Sequence, residues 1–152
     1  MSDDRHRALS WRDVEVDDEL PSLVLTMTAT RIAAGAIATR DFMPVHHDRD
    51  YPNSQGAPDI FMNILSGTGY CSRYLTDWAG PEAMIRKLSI RLGVPVFPGS
   101  VLTYTGRVTG KPADGMVEVE LHAFTDLGDH VSGTAVLDLP VDGGQEAGDR
   151  GA

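Results

Sequence analysis

The chain has 152 residues, 41% hydrophobic and 23% charged, as is typical of one globular domain. Its formal net charge of −9 is concentrated in residues 1–20 and 138–152, which carry −4 and −3, so no basic surface for nucleic acid is evident. The single cysteine excludes an internal disulfide framework. The sequence also shows no signal peptide and no apolar run of membrane-spanning length, so we expect a cytoplasmic protein.

The first third of the chain predicts an irregular arm, a strand and a short helix. The acidic arm covers residues 1–20 and ends at Pro21. The segment SLVLTMTAT (22–30) is rich in β-branched and apolar residues, which favours a strand. The alanine-rich segment 31–42 predicts a short helix that ends before Pro44.

A loop over 43–58 and a long helix over 59–78 come next. Asp59 occupies the expected N-cap position of this helix, and Gly80-Pro81 ends it. Apolar and small residues recur every three or four positions, which predicts one buried stripe. The stripe consists of Ile60, Ile64, Gly67, Cys71, Tyr74, Leu75 and Trp78.

The second half of the chain predicts four strands, and the third of them alternates apolar and polar residues. These strands cover 83–94, 100–108, 116–124 and 131–139. We expect one α+β domain over 21–140, an antiparallel sheet with the long helix on one face, and a disordered tail over 141–152. Such a sheet leaves an edge or a face uncovered, which favours a dimer.

The loop segment RDFMPVHHD places acids and histidines close together: Asp41, His46, His47 and Asp48. A neutral histidine takes a proton from water near pH 7, and a carboxylate orients that water. The spacing alone leaves two other interpretations open. These residues also suit an ordinary loop, and the last three suit a metal site.

Three other reactive side chains receive structural interpretations. Cys71 lies on the apolar stripe, so we expect a core residue rather than a nucleophile. His122 and His130 are expected at the surface.

The segment Asp41-Phe42-Met43-Pro44-Val45-His46 resembles the D-x-N-P-x-H signature of the MaoC-like (hydratase 2) enoyl-CoA hydratases, which have the hot dog fold. The segment 78–108 is also similar to that family, and the resemblance covers roughly 20–140. More narrowly, the chain resembles the small MaoC-like subunits of actinobacterial steroid side-chain hydratases, which pair with a second MaoC-like chain.

The resemblance implies a hot dog fold and the reversible hydration of a trans-2-enoyl-CoA. The acyl groups that it suggests include a steroid side chain. Asp41 and His46 occupy the positions that hold the water. The helix start, where relatives have His-Gly, carries Met62 and Asn63, which are the candidate donors to the thioester oxygen. No metal or redox cofactor is implied, because coenzyme A is part of the substrate. Met43 replaces the signature asparagine.

Several alternatives remain open at this level. The chain suits a non-catalytic partner subunit of a hetero-oligomeric hydratase, or a thioesterase on the same fold. The expected partner is a second MaoC-like chain, otherwise a second copy of this one. Strand alternation over 84–92 places Arg86 on an apolar face, where it would bind the phosphates of coenzyme A or simply extend over the sheet surface.

Overall fold

The computed structural model describes residues 9–141, so the predictions for 1–8 and 142–152 lie outside the described residues. Three helices and five strands make up the described chain. Their bounds are β1 Glu19–Thr26, α1 Ala29–Ala38, α2 Asp50–Ser54, α3 Ile64–Ala79, β2 Met84–Leu92, β3 Val101–Ala113, β4 Met116–Thr125 and β5 Gly128–Asp138. None of the helices within residues 9–141 is both long enough and apolar enough to cross a bilayer.

The five strands form one antiparallel sheet in the order β1-β3-β4-β5-β2, and α3 packs on one face of it. The α+β layout predicted from the sequence is therefore confirmed. Alternation along β4 also holds: Val117, Val119, Leu121 and Ala123 are buried against the helix side.

The centre of the core lies where α3 crosses β3. The helix buries Ser66, Gly67, Cys71, Tyr74, Leu75 and Ala79. A Cβ at Gly106 of β3 would lie 3.2 Å from the Tyr74 ring, so the missing side chain allows sheet and helix to approach closely. Burial raises the pKa of the Cys71 thiol to about 11, and Cys71 is the predicted core residue.

The long helix begins at Ile64, five residues later than the predicted start at Asp59. Tertiary hydrogen bonds hold the preceding segment out of the helix: the Phe61 N–H donates to the Val45 carbonyl at 3.4 Å, and the Met62 N–H donates to the Val96 carbonyl at 3.0 Å. The true N-cap is Asn63. Ile64 is consequently 68% exposed and does not belong to the buried stripe.

The described part of the N-terminal arm packs onto the domain. The Trp11 N–H donates to the Pro140 carbonyl at 2.8 Å, and Val14 is buried. The Lys111 ammonium lies 4.0 Å from the centroid of the Trp11 ring and donates to the Val14 carbonyl at 2.6 Å. The domain therefore extends to the N-terminal side of the predicted boundary at residue 21.

A register shift in β2 makes the predicted placement of Arg86 wrong. Pairing with β5 slips between Ile85 and Lys87, which puts Ile85 on the same side as the partly buried Leu88 and Ile90. Arg86 is therefore exposed rather than on the apolar face, and its Nε donates to a carboxylate oxygen of Asp138 at 3.1 Å. Binding of coenzyme A phosphates by Arg86 stays a prediction, with Asp138 competing for its charge.

The two histidines of the second half have different environments. His122 is exposed beside Glu120, as predicted. His130 is buried, which makes the surface prediction wrong: its Nδ1 lies 2.7 Å from the Val94 carbonyl, and burial lowers its pKa. Its Nε2 has no partner among the described residues and lies 3.4 Å from the place of a Cβ on Gly67.

Candidate active site

Asp41 is positioned by the C-terminal turn of α1. Arg40 adopts a left-handed conformation with φ of 58°. The Arg40 N–H donates to the Ile37 carbonyl at 3.0 Å, and the Asp41 N–H donates to the Ala36 carbonyl at 2.9 Å. This pair of bonds is the Schellman motif, usually built with glycine at the left-handed position. It fixes the backbone of Asp41 relative to α1.

His46 is positioned by the short 3₁₀ turn Pro44–His46. The His46 N–H donates to the Met43 carbonyl at 3.1 Å, and proline fixes the first φ of the turn. The imidazole is buried, with the residue 7% exposed. Its Nδ1 lies 2.7 Å from the Phe61 carbonyl oxygen, and its ring makes an edge contact with the Phe61 ring at 5.4 Å.

The two side chains meet: His46 Nε2 lies 3.2 Å from Asp41 Oδ2. A carbonyl oxygen only accepts, so the hydrogen bond to Phe61 requires a hydrogen on Nδ1. In the neutral imidazole Nε2 then carries a lone pair, and this lone pair faces the negatively charged Asp41 carboxylate. The direct contact at 3.2 Å therefore needs a proton on Nε2, with the carboxylate as its acceptor. This is an arrangement that accepts and returns one proton.

The Asp41 carboxylate is held in its ionised form. A hydrogen bond from the Asn63 side chain, a bond from the Met43 N–H and the charge and bond of His46 lower the pKa of Asp41, against a raising effect of burial. The side chain is 25% exposed, so solvent reaches it. Asp41 is thus an ionised acceptor of hydrogen bonds in this site.

The start of α3 supplies a different donor from the one predicted at Met62. The Met62 N–H donates to Val96, as described above, so it is not available to a thioester oxygen. Within residues 9–141, the backbone N–H of Asn63 has no acceptor. Asn63 is 2% exposed, and its side chain reaches Asp41 Oδ2 at 3.1 Å. Asn63 is therefore the predicted residue that the structure brings to the Asp41–His46 pair.

Sequence reasoning missed the Phe61 carbonyl and the Thr39 hydroxyl, which accepts from Asn63 at 2.8 Å. A backbone carbonyl carries no signal in the sequence. The only available signal for Asn63 as a cap was an asparagine directly before an apolar run.

A metal interpretation gains no support from the geometry. His47 is exposed, with Nε2 3.2 Å from the Phe42 carbonyl. Among residues 9–141 no group of three potential metal ligands gathers. That no metal is needed stays a prediction.

An apolar rim lies on the elements that carry the pair. Phe42, Met43, Ile64 and Leu65 are each more than half exposed. The first two follow Asp41 directly in sequence, and the other two begin the first turn of α3 after Asn63. Exposed apolar groups beside buried polar ones are typical of a surface that binds a partner or ligand.

The fold and this site define a hot dog protein with an Asp–His pair beside the start of its central helix. The same architecture occurs in the R-hydratase PhaJ1 from Pseudomonas aeruginosa, with a TM-score of 0.84 at 18% identity over 97% of this chain and 96% of that one. It also occurs in the (R)-hydratase from A. caviae, with a TM-score of 0.78 at 24% identity over 85% and 99%. The predicted hot dog fold is confirmed.

Closer relatives identify the family. The chain is 48% identical over 120 residues to the 3-oxo-4,17-pregnadiene-20-carboxyl-CoA hydratase beta subunit of Mycobacterium tuberculosis, covering 79% of this chain and 92% of that protein. It is 46% identical to a chain of the ChsH1–ChsH2 complex from the same organism, with a TM-score of 0.79 over 82% and 98%. A scan against models of known protein families returns no match. The chain belongs to the MaoC-like hydratase family.

Proposed function

We propose that this protein catalyses the reversible hydration of a trans-2-enoyl-CoA to a 3-hydroxyacyl-CoA. The observation that carries the proposal is the contact between His46 Nε2 and Asp41 Oδ2, with Nδ1 anchored on a backbone carbonyl. The relative at 48% identity is a hydratase subunit, which supports the same chemistry here.

One side chain, that of His46, is enough to carry the proton in this reaction. In hydration, His46 Nε2 takes a proton from the water whose oxygen bonds to the β-carbon, and the same proton goes to the α-carbon. The thioester carbonyl holds the electron pair in between, as an enolate oxygen. The unused N–H of Asn63, beside the start of α3, is the donor that we assign to this oxygen. Coenzyme A enters as part of the substrate, and the chemistry requires no separate cofactor.

The acyl group that we propose is bulky and apolar, as in a steroid side chain. The name of the relative specifies a pregnadiene carboxyl-CoA, which is a steroid thioester. The exposed rim of Phe42, Met43, Ile64 and Leu65 gives such a ring system apolar surface to contact.

We further propose that the protein works with a second MaoC-like chain. Its similarity to a chain from a two-component complex supports this assembly. The described sheet also ends at β2, where the outer edge of the strand has no neighbour within residues 9–141. A subunit with an intact Asp–His pair is the catalytic member rather than a silent partner.

The test uses the full chain, alone and co-expressed with a second MaoC-like chain. Loss of ultraviolet absorbance by the conjugated enoyl thioester measures hydration, and light scattering measures the assembly. We expect a mixed assembly that hydrates a bulky enoyl-CoA faster than a short one. Hydration by a soluble homodimer would overturn the mixed assembly only, and absence of hydration by every assembly would overturn the proposed function.

A further inference from the structure

We propose that the Asn63 side chain is a positioning residue for the catalytic pair: one amide group caps α3 and holds the Asp41 carboxylate facing His46. This inference rests on the proposed function for its catalytic consequence. Its geometric part concerns Asp41 alone and is tested separately.

The amide of Asn63 joins three elements in one network. Its Nδ2 donates to Asp41 Oδ2 at 3.1 Å and to Thr39 Oγ1 at 2.8 Å. Its Oδ1 accepts from the Ser66 N–H at 3.1 Å. Both hydrogens of the amide therefore have acceptors, and one residue links the end of α1, the catalytic carboxylate and the first turn of α3.

The orientation of the amide is fixed by its neighbours. The Ser66 N–H only donates, so it requires the amide oxygen. The Thr39 hydroxyl donates to the Gly35 carbonyl at 2.9 Å, so its oxygen is left to accept. A reversed amide would place an oxygen against the Asp41 carboxylate and an N–H against an N–H. Only the orientation that donates to Asp41 satisfies every partner.

This donation makes Asp41 an acceptor throughout the reaction. Oδ2 accepts a hydrogen bond from the Asn63 side chain and faces His46, and Oδ1 accepts a hydrogen bond from the Met43 N–H at 3.3 Å. Among the described residues, His46 is the only titratable side chain in contact with the carboxylate, and α3 contributes uncharged groups only. A proton on the carboxylate would forfeit charge-assisted bonds, so His46 carries the proton alone.

Two residues from separate segments meet at this carboxylate. Met43 stands where the signature has asparagine and contributes only its backbone N–H. Asn63 stands at the helix start and contributes a side-chain amide. Among residues 9–141, Asn63 is thus the source of the only side-chain amide that donates to Asp41.

The variant Asn63→Ser tests the proposal, because serine keeps the N-cap acceptor for Ser66 but is too short to donate to Asp41. Asn63→Asp also keeps the cap and replaces the donor by a second carboxylate. Ser66→Ala is the matched control: it lies in the same helical turn, its hydroxyl has no partner among residues 9–141, and its backbone N–H remains.

The readout is the ¹³C titration of the Asp41 carboxyl in the full chain, assigned with Asp41→Asn, together with kcat and KM for hydration. We expect the pKa of Asp41 to rise in Asn63→Ser and to rise further in Asn63→Asp, because the hydrogen bond that favours the ionised form is lost. We also expect kcat to fall about 10- to 100-fold while KM changes little. Ser66→Ala should leave both unchanged.

An unchanged Asp41 titration in a folded Asn63→Ser protein would overturn the proposal. A shifted titration in a protein that hydrates no enoyl-CoA would support the positioning of Asp41 and overturn the proposed function instead. The two failures are therefore distinguishable.

Discussion

Replacing His46 by asparagine separates the structural role of this residue from its proton chemistry. The amide nitrogen of asparagine lies near the place of imidazole Nδ1 and can still donate to the Phe61 carbonyl, which the imidazole contacts at 2.7 Å. The atom that is lost is Nε2, which faces Asp41. His46→Ala removes both atoms and leaves the Phe61 carbonyl without its donor.

The structure sets different magnitudes for stability and for rate. His46→Asn keeps the buried bond, so the free energy of unfolding should fall by about 1 kcal/mol or less, whereas His46→Ala should cost about 1–3 kcal/mol. Both variants lose the general base, so kcat should fall by about 10²–10⁴-fold, or about 3–5 kcal/mol in activation free energy. Activity and stability should therefore change independently.

The measurements are enoyl-CoA hydration by ultraviolet absorbance and denaturant unfolding by circular dichroism. His47→Ala is the control, because His47 is the exposed neighbour, and within the described residues its ring makes one hydrogen-bond contact, to the Phe42 carbonyl. It should retain activity within about twofold. A folded His46→Asn protein with kcat within a few-fold of wild type would refute the assignment of proton transfer to Nε2.

Three further predictions concern the framework. Arg40→Gly should stabilise the fold by about 0.5–1 kcal/mol in urea unfolding, since φ of 58° disfavours a side chain; a loss of stability would contradict the strain argument. Gly133→Ala should cost about 2–3 kcal/mol, because its Cβ would meet the Ser89 carbonyl oxygen at 2.3 Å, whereas Gly69→Ala, with open space, should gain up to about 1 kcal/mol. His130 has a lowered pKa in the folded state, so unfolding takes up a proton and stability should fall as pH drops below about 6.5. His130→Gln should remove that slope of up to about 1.4 kcal/mol per pH unit, and an identical slope in both proteins would contradict it.

The order of the five strands, of α1 and of α3 could be predicted from the sequence, and so could the proximity of Asp41 and His46. The helix α2 was missed, because it lies in the segment 43–58 that was predicted as a loop. The alternation of β4 and the stripe around Cys71 depend on a periodicity that burial enforces, and both appear in the structure. Asp41 and His46 lie five positions apart on one loop, so local geometry already brings them near each other. The helix starts were predicted less accurately, because more than one residue near each start can act as the N-cap. In the structure Thr28 is the N-cap of α1 and Asn63 is the N-cap of α3.

Only the tertiary structure decided which polar groups are already hydrogen-bonded within the protein and which remain free to bind a ligand. The backbone N–H of Met62 donates to the carbonyl of Val96, which lies 34 positions later in the sequence, and no local sequence pattern encodes that hydrogen bond. The bulge at Arg86 likewise depends on pairing with β5, and a slip of one residue changes the face of every side chain before it. The link from Asn63 to Asp41 joins residues 22 positions apart. Sequence periodicity determines which side of an element is buried, because burial follows the local repeat. The partner of each polar group depends on how separate elements dock, which is a property of the whole fold.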